Sequence, residues 1–274
     1  MRDVFTLHRL FQPRPTSRRS PLFGSAMLGM LMMPTAQADS LPAPVQALAD
    51  QGLEIHGEFD APGGMRGFGA SRQGQEVTIY LTPDGEHAIT GSLTDQEGDN
   101  QLEEAALDKH VRAPLEAQTW QLLEDSYWIQ DGQRDAPRVV YTFTDPNCPY
   151  CQAFWEAARP WVEAGEVQLR HIVVGILDAD SPAKAASLLA ADDPADALAR
   201  HKQGDHIRAS AQPREIEEQV YSNNQLFDGL GLYATPTSAF KRQTDDGVTR
   251  LDRVEGMPDE ERLEEMMGGP APEQ

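Results

Sequence analysis

The chain has only two cysteines, spaced as Cys148-Pro149-Tyr150-Cys151, and they stand where one periodicity gives way to another. The apolar β-type run Val139-Val140-Tyr141-Thr142-Phe143 comes before them, and the helical run Gln152-Ala153-Phe154-Trp155-Glu156-Ala157-Ala158 comes after. A cysteine at such a junction faces the positive end of the helix dipole and the unpaired amides of the first turn. Both favour thiolate over thiol. Two intervening residues put the second sulfur one helical turn inward, close enough to close a small disulfide ring, so the pair reads as redox-active.

Two other uses of this spacing are weaker. A structural zinc site needs four ligands, and the nearest downstream histidine, His171, has no HxxxH partner. A purely structural disulfide would close a four-residue loop, which constrains little of the unfolded chain and so contributes little stability.

The 274 residues suffice for one large or two modest domains. The start reads as an export signal: Arg9, Arg14, Arg18 and Arg19 supply charge, Leu22 to Met33 is apolar, and Ala36-Gln37-Ala38 has the form of a cleavage site. The apolar stretch is too short to span a bilayer, and no later segment approaches eighteen apolar residues in a row. Cleavage near Ala38 would remove five arginines and one aspartate, taking the formal charge from −21 to −25. Nucleic acid is excluded as a partner on that balance. Only four lysines occur, Lys109, Lys184, Lys202 and Lys241, and the acidic residues are dispersed, which predicts a general solvated surface suited to salty surroundings. Outside the cytosol disulfides persist, and a chain with one cysteine pair is better placed to act on them than to depend on them.

From Leu41 to Asn100 the signals are short and β-like: Leu53, Ile55, Gly57 and Phe59 alternate, Pro62-Gly63-Gly64 breaks the run, and Val77–Leu81 and His87–Thr90 form a hairpin. Such a sheet is marginal alone, and pairing with a second copy would stabilise it, so residues 39–100 read as a dimerisation domain. Residues 101–130 take a helical period, with Pro114 starting a second segment and the helix ending near Trp128. From 131 the order is strand, helix, strand (Val167 to Ile176), a helical insertion over about 181–230, two strands and a closing helix from Pro258. Within the insertion, Ser181-Pro182 and Asp193-Pro194 each pair a capping side chain with proline.

A CxxC heading the first helix, an inserted helical block and Thr235-Pro236 before the last hairpin resemble the thioredoxin fold as periplasmic disulfide proteins build it. Asp60-Ala61-Pro62-Gly63-Gly64-Met65, Val77 to Gly85 and Asp145-Pro146-Asn147-Cys148-Pro149-Tyr150-Cys151 are similar to the DsbC/DsbG family, with the DsbG branch the nearer. The resemblance implies an α+β chain: a small antiparallel N-terminal dimerisation sheet, a helical linker and a C-terminal thioredoxin-fold domain over 131–274. It also implies a periplasmic homodimer, protein substrates carrying disulfides or sulfenylated cysteines, and a membrane reductase of the DsbD kind. No cofactor or metal is expected beyond the cysteine pair itself.

Cys148 is then the exposed attacking thiolate and Cys151 the buried resolving thiol. Pro149 and Tyr150 form an uncharged active-site turn, leaving the helix terminus as the main source of thiolate stabilisation. Thioredoxin has a buried carboxylate six residues before its nucleophile, where this chain has Thr142, which puts a thioredoxin-like proton shuttle in doubt. Thr235 and Pro236 resemble the family's cis-proline loop, with the Thr235 hydroxyl within reach of the Cys148 thiolate. The histidines carry no spacing that demands chemistry. The expected activity is thiol:disulfide reduction and isomerisation. Its rivals are a redox-independent chaperone and a DsbA-like oxidant, and that oxidant family lacks the N-terminal sheet and linker.

Overall fold

The computed structural model describes residues 40–72, 75–99, 101–244 and 247–272. The export signal and its cleavage point near Ala38 lie outside the described residues. Where alternation from Leu41 predicts extended chain, the structure forms helix α1 (Ala43–Ala49). Its alanines and leucine favour the helix, and the fully buried Val45 anchors it beside the sheet. Strands β1 (Glu54–Asp60), β2 (Arg66–Arg72), β3 (Gln75–Leu81) and β4 (Ala88–Thr90) then run as an antiparallel meander in that order. Gly57 and Gly69 are partners across β1 and β2. A Cβ on Gly57 would lie 2.4 Å from His110 Nδ1, and one on Gly69 would lie 2.9 Å from Val111 Cγ2. Their bare backbone is what lets the linker helix come down onto the sheet.

That linker comprises α2 (Gln101–Leu107), a π-helical stretch Asp108–Arg112 and α3 (Ala113–Glu124). Pro114 does not start a new helix as its position predicts: Arg112 and Ala113 keep right-handed helical dihedrals, and the axis continues. A proline has no N–H for the carbonyl four residues back, and a turn of wider bonding ahead of it carries the helix past the defect. Buried Glu103 fixes α2 to the sheet by accepting from Thr78 Oγ1 at 2.8 Å, Tyr80 Oη at 3.1 Å and Leu93 N at 2.9 Å. The helix stops at Glu124, short of Trp128, which instead opens the second sheet beneath the Arg170 guanidinium, 4.5 Å from the ring.

The second sheet holds β5 (Trp128–Asp131), β6 (Arg138–Thr144), β7 (Val167–Val173), β8 (Thr237–Gln243) and β9 (Thr249–Glu255) in the order β5-β7-β6-β8-β9. Strands β6 and β7 are parallel and joined through α4 (Pro149–Glu163), while the remaining pairs are antiparallel. The period of two sorts its faces. Val140, Leu169 and Phe240 pack with Phe154, Ala158 and Trp161 of α4 and with α8 (Glu260–Met267). Tyr141, Phe143 and Ile172 pack with Leu123 of α3 and Phe227 of α7 (Arg214–Gly229). Each such side chain, fully buried, stabilises the fold by about 1.5–3 kcal/mol. The insertion contributes α5 (Ser181–Leu189), α6 (Pro194–Lys202) and α7, whose apolar faces meet Ile129 and Val173.

An ionic chain runs from one sheet to the other. Arg112 pairs with Glu76 of β3 at 2.6 Å and with Asp108 at 2.7 Å, and Arg250 of β9 pairs with that same Asp108 at 2.9 Å and with Glu116 of α3 at 2.7 Å. Among the described residues no helix is long and apolar enough to cross a membrane.

Candidate active site

Strand β6 delivers the site. Its last residue, Thr144, is followed by Asp145, wholly buried and accepting four hydrogen bonds: from Asn147 N and Ser181 Oγ, each at 2.8 Å, Ile176 N at 2.8 Å and Leu177 N at 3.0 Å. These bonds explain two departures from expectation. Strand β7 ends at Val173, short of Ile176, because the amides of Ile176 and Leu177 turn toward the carboxylate. Asp193 caps α6 as its type predicts, accepting from Asp196 N at 3.0 Å, but Ser181 does not cap α5, because its hydroxyl is committed to Asp145.

Insertion side chains also grip the next two residues. His201 Nδ1 accepts from Ile207 N at 3.1 Å, which leaves the proton on Nε2 to be donated to the Pro146 carbonyl at 2.8 Å. Lys184 Nζ reaches Asn147 Oδ1 at 2.7 Å. The loop leading into Cys148 is therefore held from outside its own strand and helix.

Cys148 is the N-cap of α4, and its sulfur accepts from Cys151 N at 3.1 Å. Both cysteines are free thiols. Across the site, the Thr235-Pro236 peptide bond is cis, and the Thr235 carbonyl accepts from the Cys148 thiol at 3.1 Å. The contact expected of the Thr235 hydroxyl is thus made by its carbonyl. The hydroxyl itself is buried, has no hydrogen-bond partner among the described residues, and can turn toward the sulfur once the thiol proton has gone. Pro236 is buried, while Pro149 and Tyr150 face solvent. All six residues expected at the site come together.

The expectation of an exposed Cys148 is corrected: the residue is 5% exposed and Cys151 is 2% exposed. The Thr235 backbone and the first turn of α4 cover the sulfur, leaving access beside a pocket of about 320 Å³ lined in part by Asn147, Lys184, His201, Lys202 and His206. The helix terminus, through the Cys151 amide, is one of several groups that favour the thiolate. The hydrogen bond between the two cysteine side chains does most to lower the Cys148 pKa. Burial opposes it, while Thr235, the Cys151 amide and the Lys202 charge reinforce it, bringing the thiol to about 6. Burial pushes the Cys151 thiol far above its ordinary range, with Cys148 adding to the effect, so it stays protonated at neutral pH.

Lys202, His201 and the Asp145 cage escape a reading of the sequence. Lys202 closes α6, where a basic residue ordinarily complements the helix dipole, and nothing in its neighbours distinguishes it from a surface lysine. In the fold it is 2% exposed, with Nζ 3.1 Å from Thr144 Oγ1. His171 is also buried, donating from Nε2 to Asp131 Oδ2 at 3.1 Å. Burial works against the Asp131 carboxylate, but His171 and Arg159 outweigh it and hold its pKa well below the usual range.

The thioredoxin-like domain family matches residues 130–268. The thiol:disulfide interchange protein DsbG of Pseudomonas aeruginosa is 46% identical over 235 residues, spanning 84% of this chain and 90% of its own. The Escherichia coli protein of the same name is 41% identical over 246 residues, spanning 88% of this chain and 97% of its own. A solved DsbG structure from Helicobacter pylori is a looser match, 17% identical with a TM-score of 0.44, covering 72% of this chain and 98% of that one. On the strength of the two sequence relatives, the chain belongs to the DsbG family of thiol:disulfide interchange proteins.

Proposed function

We propose that the chain is a periplasmic thiol:disulfide reductase and isomerase, acting as a homodimer on protein substrates. The observation that carries this reading is the split within one helical turn: Cys148 titrates at about 6, while Cys151 keeps its proton. At neutral pH one sulfur is a nucleophile and the other waits. The Cys148 thiolate attacks a substrate disulfide, a mixed disulfide forms, and the other substrate sulfur leaves as thiolate. Cys151, once deprotonated, attacks Cys148 Sγ and releases the second substrate thiolate, leaving the Cys148–Cys151 disulfide. A membrane reductase of the DsbD kind returns the pair to dithiol. Sulfenic acids enter by the same route, because thiolate attack on Cys–S–OH gives the same mixed disulfide with hydroxide as the leaving group.

Protein substrates fit the surroundings. Tyr150, in the active-site turn, is 63% exposed, and Tyr233, two residues before Thr235, is 83% exposed, so aromatic surface belongs to both segments that meet at the sulfur. The Thr235 backbone is placed to receive an extended segment beside Cys148. The dimer is supported by the first sheet: β1 and β4 are its edges, β4 is three residues long, and Ile89 on it is 55% exposed. The test is a trap. Cys151→Ser, exported with its own signal, should accumulate thiol-reversible adducts on Cys148 that the Cys148→Ser/Cys151→Ser double variant lacks. No captured protein would overturn the substrate assignment, and sedimentation as a monomer would overturn the dimer.

A further inference from the structure

Resolution requires Cys151 to lose a proton, yet the residue is 2% exposed and its thiol is hard to ionise. Solvent does not reach it directly. The Thr144 hydroxyl favours ionisation of the Cys151 sulfur. On its other side, Thr144 Oγ1 lies 3.1 Å from Lys202 Nζ. Lys202 in turn lines the pocket that opens beside Cys148. The Thr144 hydroxyl and the Lys202 amine thus join the surroundings of the buried sulfur to the pocket, and position 142, where a carboxylate is absent, is bypassed.

We propose that Lys202 takes the Cys151 proton through the Thr144 hydroxyl during the second half of disulfide exchange. The inference rests on the roles given above to the two cysteines. Before transfer, the Cys151 S–H donates to Thr144 Oγ1, and the Thr144 O–H donates to the neutral amine. One proton moves along each bond, leaving a Cys151 thiolate that accepts from Thr144 and an ammonium that donates to Thr144 Oγ1. The thiolate then displaces the substrate thiolate from Cys148 Sγ, and the ammonium proton leaves through the pocket to the departing sulfur or to water.

The charges around Lys202 give this path its timing. Facing it are Cys148 and Cys151 on α4, Asp145 in the loop before that helix, His171 on β7 and its own neighbour His201, while Lys184 and His206 share the pocket. Burial favours the neutral amine, and the two sulfurs and Asp145 oppose it. In the resting dithiol the Cys148 thiolate holds the proton on Lys202. Formation of the mixed disulfide removes that anion, so the ammonium releases its proton through the pocket to the first departing thiolate or to water, and the neutral amine is ready to accept when Cys151 must give up its own.

The Ellman disulfide, 5,5′-dithiobis(2-nitrobenzoate), separates the steps. Attack by Cys148 releases one thionitrobenzoate, and resolution by Cys151 releases a second, both followed by stopped-flow absorbance. The wild-type second phase should level off as pH rises. In Lys202→Met and in Thr144→Val it should slow by about 100-fold at pH 7, the lower end for a positioned proton-transfer group, and climb about tenfold per pH unit as hydroxide takes over. Thr144→Val keeps the lysine charge and so carries the test if the methionine variant fails to fold. Unchanged second-phase rates and pH profiles in a folded variant would overturn the relay. Slowing in Lys202→Met with a normal Thr144→Val would also overturn it, leaving the lysine a charge and not a proton acceptor. Absence of the first phase in the wild type would instead overturn the assignment of Cys148.

Discussion

In the Cys151→Ser protein Cys148 is the single thiol, and serine keeps a hydroxyl where the Cys151 side chain now acts on the Cys148 sulfur. Its titration should therefore stay near 6, three units below the ordinary 9.0. The thiolate fraction at pH 5 is then about 9%, against about 0.01% for an ordinary cysteine, a ratio of roughly 900. A weaker base is also a weaker nucleophile. With a Brønsted coefficient of about 0.45, the three units reduce intrinsic reactivity by roughly 20-fold. Iodoacetamide should accordingly alkylate Cys148 about 40 times faster than a peptide cysteine at pH 5, but only about 4 times faster at pH 7. The collapse of the advantage between the two pH values is the signature to measure, with thiolate absorbance as an independent titration. A ratio that stays near one at pH 5, or absorbance centred near 8.5, would refute the assignment of Cys148 as an activated thiolate.

Three further outcomes follow from the same geometry. Because the Cys148 pKa is depressed in the folded state, its contribution to the reduced protein's stability is full above the unfolded pKa of 9.0 and is lost as pH falls through about 6. Urea unfolding should show the reduced form gaining about 2.5 kcal/mol on the disulfide form between pH 5 and pH 8, and a pH-independent difference would contradict it. Asp145→Asn would turn an amide N–H₂ toward donors now satisfied by a carboxylate, so thermal unfolding should report a loss of about 3 kcal/mol or more. Thr235→Val keeps the carbonyl contact and removes a hydroxyl with no other partner among the described residues, so the Cys148 titration should rise by about one unit while the melting temperature holds.

Local chemistry made the CxxC, its strand and its helix legible, because a periodicity change and two cysteines are both properties of adjacent residues. The Thr235-Pro236 loop required a family resemblance, since nothing in the neighbouring residues says that position 235 returns to position 148. The cage around Asp145 was beyond reach for a different reason. A single aspartate before a proline reads as a turn, and only the fold brings the amides of 176 and 177 and the Ser181 hydroxyl to it. Lys202 was masked by its helix end. The linker misled in the opposite direction: Pro114 is a sound break signal, overridden because the π turn ahead of it lets the helix run on.

That π turn also sets an angle. Each residue of an α-helix advances the chain by about 100° around its axis, so one residue too many, taken up in a wider turn, rotates everything downstream relative to everything upstream. Residues 108–112 contain His110 and Val111, which meet the glycine pair of the first sheet, and Asp108, which meets Arg250 of the second. Deleting one residue in this stretch would regularise the helix and carry Glu116 about a quarter turn away from its arginine. The number of residues here, more than their identity, is the phase setting by which two sheets with separate cores agree on a common orientation.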